Sequence, residues 1–168
     1  MAKVIAFRSM LGLLLIVLLS AQTCTEQGSD YQLDKDNSIS LEIPMFPSQF
    51  STHYLMDKDV LYVHLINRIS KTDSVISQAT MDSASYKEIT ELITELDKTE
   101  YINACVSDGQ SYTVVLNQES KDQVKVRFEN TYHENLDKII QSVNTKLEAD
   151  LKIYFDKATL EALPTECD

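Results

Sequence analysis

The chain has 168 residues, 15 basic against 26 acidic side chains, and a formal net charge of −11 at pH 7. This length suggests one domain, and the acidic excess argues against binding to nucleic acids and anionic membrane surfaces, because both would repel it. With only three glycines, the chain cannot form a glycine-rich phosphate loop, a dinucleotide-binding fingerprint or the glycine-flanked serine of a hydrolase.

The first residues have the layout of a secretory signal peptide. Lys3 and Arg8 provide a basic start without acidic residues, and an apolar run from Leu11 to Leu19 follows, interrupted only by Gly12. The run is shorter than the roughly 20 residues of a membrane-spanning helix, although a membrane anchor or a buried core helix is the alternative. We predict that residues 1–23 are a signal peptide, so that the exported chain carries a formal net charge of −13.

The end of the export signal leaves two outcomes open. Cys24 lies just past the apolar run, where a bacterial lipoprotein signal places its lipid-bearing cysteine, but Gln22 and Thr23 depart from the small residues of that motif. Cleavage after Ala21 would instead release an unmodified chain. The expected location is therefore the periplasm, the outer membrane through a lipid on Cys24, or the medium after secretion. That lipid is the only membrane attachment we expect.

The other two cysteines form the natural partners for a disulfide. An oxidising compartment leaves one of the three cysteines over, and if Cys24 carries lipid, Cys105 and Cys167 remain. We predict a Cys105–Cys167 bond that ties the C-terminal tail to the middle of the domain. The chain-entropy model assigns such a long loop about 4 kcal/mol. Two free thiols are the alternative.

Residues 24–36 are polar and predict a tether, so a single domain is expected over residues 37–168. Alternating apolar and polar residues then predict strands. The strands are expected around residues 39–43, 54–56, 60–69, 75–81, 112–116, 124–128 and 151–155.

Two segments change to the spacing of an amphipathic helix, at residues 86–96 and 132–147, and one further helical turn is expected near residue 160. Ser85 with Glu88, and Thr131 with Glu134, predict a capping box at the start of each helix. Together these elements predict an α+β fold, an antiparallel sheet of hairpins with two amphipathic helices packed on one face.

The segment from His133 to Asp137 resembles part of a zinc-peptidase motif. Zinc peptidases use His-Glu-x-x-His because residues four apart share one helix face, but here Asp137 replaces the second histidine. A helix cap at Glu134, with His133 and Asp137 in solvent, explains the same residues. Here and in the rest of the chain we therefore predict no metal site and no cofactor.

Asp34, Asp36 and Ser38 have the alternate spacing of a calcium loop. An EF-hand needs glycine next, where this chain has Ile39, and no glutamate closes the loop. The residues are better explained as a polar segment that precedes the first strand.

Cys105 could act as a nucleophile with His53, His64 or His133 as its base. Sequence alone does not bring these residues together, and an exported thiol tends to oxidise. A disulfide is therefore the expected fate of Cys105.

Several residues within 84–155 form a layout that resembles small exported proteins and lipoproteins of Bacteroidetes type, a group without an assigned activity. The layout comprises Cys105, Asp108-Gly109, Tyr112, Asn130, Tyr132 and a helix ending near Asn144. The resemblance implies export and a common fold, and it implies no function.

The sequence favours a non-enzymatic protein-binding module, such as a stoichiometric inhibitor or an immunity-type factor for a basic partner. Glu88, Glu91 and Glu95 lie off the apolar stripe of the first helix and are the first candidates for partner contacts. Two alternatives stay open. One is an exported hydrolase that uses scattered acidic residues, His133 or Cys105, and the other is a tethered structural component of an envelope complex.

Overall fold

The computed structural model describes residues 33–45, 48–107 and 109–167, and the predicted signal peptide, Cys24 and most of the predicted tether lie outside these ranges. The compact unit begins at Leu33, earlier than the predicted start at residue 37. Asp34 accounts for the difference. Its backbone N–H donates to Asp57 Oδ2 at 3.0 Å, and its carboxylate accepts the N–H groups of Asp36 and Asn37.

The described chain contains four strands, a helix, three more strands and a helical C-terminal part. The elements are β1 Ser38–Pro44, β2 Phe50–Met56, β3 Val60–Asn67, β4 Thr72–Thr80, α1 Ser83–Thr94, β5 Glu100–Ile102, β6 Ser111–Asn117, β7 Val124–Glu129, α2 Glu134–Asn144, a 3₁₀ turn Ala149–Leu151, and α3 Lys157–Glu161. The α+β class is thereby confirmed, as is the helical turn near residue 160.

Within the described ranges the strands form one sheet in the order β4-β3-β2-β1-β6-β7-β5. Every neighbouring pair is antiparallel except β5 and β7, which run parallel. The sequence analysis missed β5, because three residues are too few to show alternation. The sheet is therefore mostly, and not entirely, antiparallel.

Alternate strand residues form the core. Leu41 on β1 lies opposite Tyr54 on β2 and Val114 on β6, and all three are buried. The same buried cluster includes Ile89 and Ile93 of α1, and Leu136, Ile139, Ile140 and Val143 of α2. Burying one such side chain stabilises a fold by roughly 1.5–3 kcal/mol.

The other side of the strands is named the outer face here. Its side chains alternate with those of the core, and the set comprises Ser40, Glu42, Ser51, His53, Leu55, Tyr62, His64, Ile66, Asp73, Val75, Thr113, Val115, Lys125 and Arg127. Apart from Ser51 these residues are half-buried or exposed, and none belongs to the hydrophobic core cluster of the described residues.

The start of α1 differs from the prediction. Asp82 is the N-cap, and its Oδ1 accepts the Ser85 N–H at 2.9 Å. The predicted capping box of Ser85 and Glu88 is therefore wrong. The helix begins at Ser83, so Asp82 meets the unpaired N–H groups first.

The predicted capping box of α2 is also wrong. His133 is the N-cap, and its Nδ1 accepts the Asn135 N–H at 3.2 Å. Glu134 instead pairs with Lys138 at 2.7 Å one turn later. An imidazole nitrogen thus takes the N-capping role that the sequence pattern assigned to the Thr131 hydroxyl.

The predicted strand at residues 151–155 does not form. The backbone there is irregular after the 3₁₀ turn, and Asn144 takes the place of a neighbouring strand. Its Oδ1 accepts the Ile153 N–H at 2.7 Å, and its Nδ2 donates to the Ile153 carbonyl at 2.9 Å. The alternation arises because Ile153 is in the core cluster, with Leu151 and Phe155 packed against it.

Candidate functional site

Two histidines lie in one cross-strand row on the outer face, and a carboxylate contacts each of them. Glu42 on β1 lies opposite His53 on β2, and His53 lies opposite His64 on β3. Asp73 on β4 lies opposite Ile66, beside this row, and its Oδ1 reaches His64 Nδ1 at 2.7 Å. The carboxylates thus approach the histidine pair from opposite sides.

His53 is held on the β1 side of the row. Its Nε2 lies 3.3 Å from Glu42 Oε1 and 3.1 Å from Ser51 Oγ. Because a carboxylate only accepts hydrogen bonds, this contact assigns the proton of the neutral ring to Nε2. The lone pair is then on Nδ1.

Ser51, His53 and Glu42 do not make a hydrolase triad. In a triad the serine and the acid engage different nitrogens of the histidine, whereas here both contact Nε2. Ser51 is also only 1% exposed. This arrangement orients the imidazole and does not activate the hydroxyl.

His64 is held on the β4 side. Its contact with Asp73 assigns the proton to Nδ1 and the lone pair to Nε2. The Tyr62 ring lies edge-on at 6.1 Å between centroids. The His64 side chain is 15% exposed and that of His53 is 19% exposed, so both imidazoles are partly shielded and remain accessible.

A β-bulge borders the row. Val63 pairs with Ser77 and His64 pairs with Val75, so Ile76 is an extra residue on β4. Val75 and Ile76 are 56% and 47% exposed. Bulges re-aim side chains and often adjoin functional sites, and this one leaves two apolar side chains in solvent beside His64.

The predicted Cys105–Cys167 disulfide is confirmed. The two Cα atoms are 5.0 Å apart and 62 residues separate the cysteines in sequence. The bond borders a cavity of about 470 Å³ between the loop after β5 and the C-terminal tail. Because Cys105 is in the disulfide, it offers no thiolate nucleophile in the oxidised protein.

Gly109 and Asn130 build the corner beside this cavity. Asn130 has a positive φ of 51° and is 3% exposed, and its Nδ2 donates to the Val106 carbonyl at 3.0 Å. A Cβ on Gly109 would lie 2.0 Å from Asn130 Oδ1. These members of the sequence layout therefore have a structural role, while Asp108 lies outside the described residues.

His133 is not in solvent, as the sequence analysis expected. Its ring packs against Tyr101 at 4.6 Å and Phe128 at 5.6 Å between centroids. Burial lowers the pKa of His133 below its ordinary value, opposed by the nearby Asp97 and Glu134 carboxylates. Since Nδ1 caps α2, the ring serves as a structural group.

Asp137, the other candidate ligand of that motif, is half-buried and engaged. Its Oδ1 accepts from Gln141 Nε2 at 2.8 Å, and its Oδ2 accepts from Tyr132 OH at 3.3 Å. In the described ranges no group of three or more His, Cys, Asp or Glu side chains is placed to hold a metal ion. The described residues of α2 therefore do not form a set of zinc ligands.

The calcium-like segment forms a turn. Asp34 accepts the N–H groups of Asp36 and Asn37, and Ser38 Oγ donates to the Lys35 carbonyl at 3.2 Å. These contacts use the polar atoms locally and explain the spacing without an ion.

Glu88 and Glu91 on α1 and Glu95 at its C-cap are all exposed. Glu91 pairs with Lys87 at 3.7 Å, and Glu95 Oε2 accepts from Asn135 Nδ2 at 3.4 Å. The three acids therefore share the solvent side of α1, and the outer face of the sheet does not include them.

No protein-family model, curated protein or solved structure matches this chain. The resemblance to Bacteroidetes-type exported proteins stays a prediction. No helix among the described residues is long and apolar enough to cross a membrane.

The sequence analysis considered His53 and His64 separately and missed the row. The missing information was the register of β2 against β3, which places His53 opposite His64. The short gap between the predicted strands at residues 54–56 and 60–69 carried that signal, because turn length determines the register of a hairpin.

Proposed function

We propose that this domain is an exported, non-enzymatic binding protein for a basic protein partner, such as a stoichiometric inhibitor or an immunity-type factor. The outer face carries the proposal. Leu55 and Val115 flank Ser40 in one cross-strand row and are only half-buried. Apolar groups that lie together outside the core mark interaction surfaces.

The bulged part of β4 extends this surface. Val75 lies opposite His64, next to the exposed Ile76. An apolar patch bordered by Glu42 and Asp73 suits a partner with apolar and basic side chains, because interfaces combine an apolar centre with a polar rim. We therefore place the partner contact on the β1 to β4 part of the outer face.

The charge of the chain supports a basic partner. A formal charge of −11, or −13 without the predicted signal peptide, attracts positively charged proteins over a distance and accelerates their association. This long-range attraction weakens as salt is added.

The acidic side of α1 contributes to this attraction. The helix has no acidic residue in its first turn and no basic residue in its last, while Glu91 and Glu95 lie near the negative end of its dipole, where acids destabilise a helix. We take α1 and α2 to pack together on the core face, where Asn135 Nδ2 donates to the Leu92 carbonyl at 3.0 Å. Glu88, Glu91 and Glu95 would then steer the partner without contacting it at the outer face.

The test is capture of partners from an envelope extract on immobilised protein. Replacing Val75 and Ile76 by serine should weaken capture of a basic protein about tenfold or more, as expected for anchors near an interface centre. Ile102→Ser is the matched control, because Ile102 is 44% exposed on β5 at the opposite edge of the sheet. It should leave capture unchanged.

Charge reversal at Glu88, Glu91 and Glu95 to lysine should slow association at low salt and leave dissociation unchanged. The proposal fails if no basic protein is captured at any salt, or if the Val75 and Ile76 variants capture it as well as the parent. Substrate turnover that disappears on replacing His133 would favour the hydrolase instead.

A further inference from the structure

The histidine row has a second property that protein binding does not require. Glu42 and Asp73 occupy the outward nitrogens, Nε2 of His53 and Nδ1 of His64. The two nitrogens of an imidazole point to opposite sides of the ring. The remaining lone pairs are on His53 Nδ1 and His64 Nε2, the nitrogens that do not contact Glu42 or Asp73.

The register brings the two histidines near one another. Residues directly opposite in an antiparallel pair have Cα atoms about 4.5–5.5 Å apart, and His53 and His64 are such a pair on one face. Neither free nitrogen has a hydrogen-bond partner among the described residues. Each imidazole on these two neighbouring strands thus has a second nitrogen that can bind a shared ion.

The flanking carboxylates match the surroundings of a metal ligand. A histidine that binds metal usually gives its other N–H to a carboxylate, which sets the tautomer and raises the basicity of the ligating nitrogen. His64 has this arrangement with Asp73 at 2.7 Å, and His53 has it with Glu42 at 3.3 Å. The order across the sheet is carboxylate, histidine, histidine, carboxylate.

We propose that His53 and His64 bind one divalent transition-metal ion, with Zn²⁺ as the probe, and that Glu42 and Asp73 orient the two imidazoles. Imidazole nitrogen suits zinc, copper and nickel. Two protein ligands leave coordination positions for water, in keeping with the lack of a three-residue metal group in the described ranges. This inference does not depend on the partner proposed above.

The experiment is calorimetric titration of Zn²⁺ into the full exported protein, purified without an affinity tag and with the disulfide oxidised. The parent should bind one ion, and His53→Ala or His64→Ala should each weaken that binding by at least about tenfold. Asp73→Asn should weaken it roughly tenfold through the outer carboxylate. His133→Ala is the control and should leave it unchanged, because that imidazole caps α2.

Thermal unfolding with and without Zn²⁺ separates binding from misfolding. The ion should raise the melting temperature of the parent, because it binds only the folded state, and should not raise that of a folded His53→Ala protein. Absence of saturable binding up to about 1 mM Zn²⁺ would overturn the proposal. So would equal affinity in both histidine variants, or binding that disappears with Cys24→Ala alone.

Discussion

The β6–β7 hairpin has a neighbouring strand on each side, β1 and β5, whereas the β3–β4 hairpin ends the sheet. Phe128 on β7 is fully buried and stacks on Tyr101 at 5.0 Å between ring centroids. On β4, in contrast, Val75 and Ile76 are exposed. The same pairing therefore yields a core strand inside the sheet and a strand with exposed apolar side chains at its edge.

The ends of the two hairpins differ as well. The disulfide at Cys105 and the Gly109–Asn130 corner lock the open end of β6–β7. The β3–β4 pair has its bulge at Ile76 instead. Bulges on edge strands discourage unwanted pairing with another sheet, so β4 can present apolar side chains without acting as a template for edge-to-edge association.

The largest expected effect is Phe128→Ala. Loss of this buried ring should lower the free energy of unfolding by about 3–5 kcal/mol, measured by urea denaturation. Ile76→Ala on β4 should change it by less than about 0.5 kcal/mol. Similar costs at the two positions would break the comparison between the hairpins.

Loss of the disulfide should have the second largest effect on the free energy of unfolding. Replacing Cys105 and Cys167 together by serine opens a loop with a sequence separation of 62, which the chain-entropy model equates to about 4 kcal/mol of unfolding free energy. Guanidinium denaturation measures the loss, and reduction of the parent protein should reproduce it. If the free energy of unfolding falls by less than about 1 kcal/mol, the attachment of the tail contributes little to the stability of the β6–β7 hairpin.

Gly109→Ala should cost about 1–3 kcal/mol of unfolding free energy, the usual range for overpacking. Asn130 cannot move aside easily, because its amide is buried and bonded to the Val106 carbonyl. In an Asn130→Gly background the same change should cost less, since the clashing Oδ1 is absent. A double-mutant cycle measures this coupling, and additive effects would contradict the corner as described.

The smallest effect concerns the pH dependence of a surface contact. The Lys146 ammonium, and then the Ser85 N–H and hydroxyl, hold the pKa of Asp82 well below its ordinary value. A carboxyl whose pKa is lower in the folded state stabilises the fold above its unfolded pKa, and this contribution is lost as the pH falls. The Asp82→Asn protein should therefore have a lower free energy of unfolding than the parent at pH 7, and this difference between the two proteins should shrink below about pH 4.

Denaturation at several pH values checks this, with Asp122→Asn as an exposed control from the β6–β7 turn. A gap that stays constant from pH 7 to about pH 3 would show that the Asp82 carboxylate does not act through its charge.

The elements with regular alternation or helical spacing were predictable from the sequence. The wrong predictions concern the start of each helix and one short segment. Leu41, Val114 and Phe128 appear at core positions because strand side chains alternate. The caps at Asp82 and His133 were not predicted, since several polar residues near each helix start compete for the same N–H groups. The segment around Ile153 alternates like a strand, yet the Asn144 side chain, and not a neighbouring strand, forms the hydrogen bonds to the Ile153 backbone.

The sequence by itself determined the α+β class and the acidic charge, because these follow from periodicity and composition. It predicted the Cys105–Cys167 bond only on the condition that Cys24 carries lipid. Tertiary structure alone decided that β5 runs parallel to β7, that Glu42, His53 and His64 form one row, and that Asp73 contacts His64. The reason is physical. Periodicity assigns a side chain to a face of its own strand, and only strand order and register decide which side chains meet across the sheet.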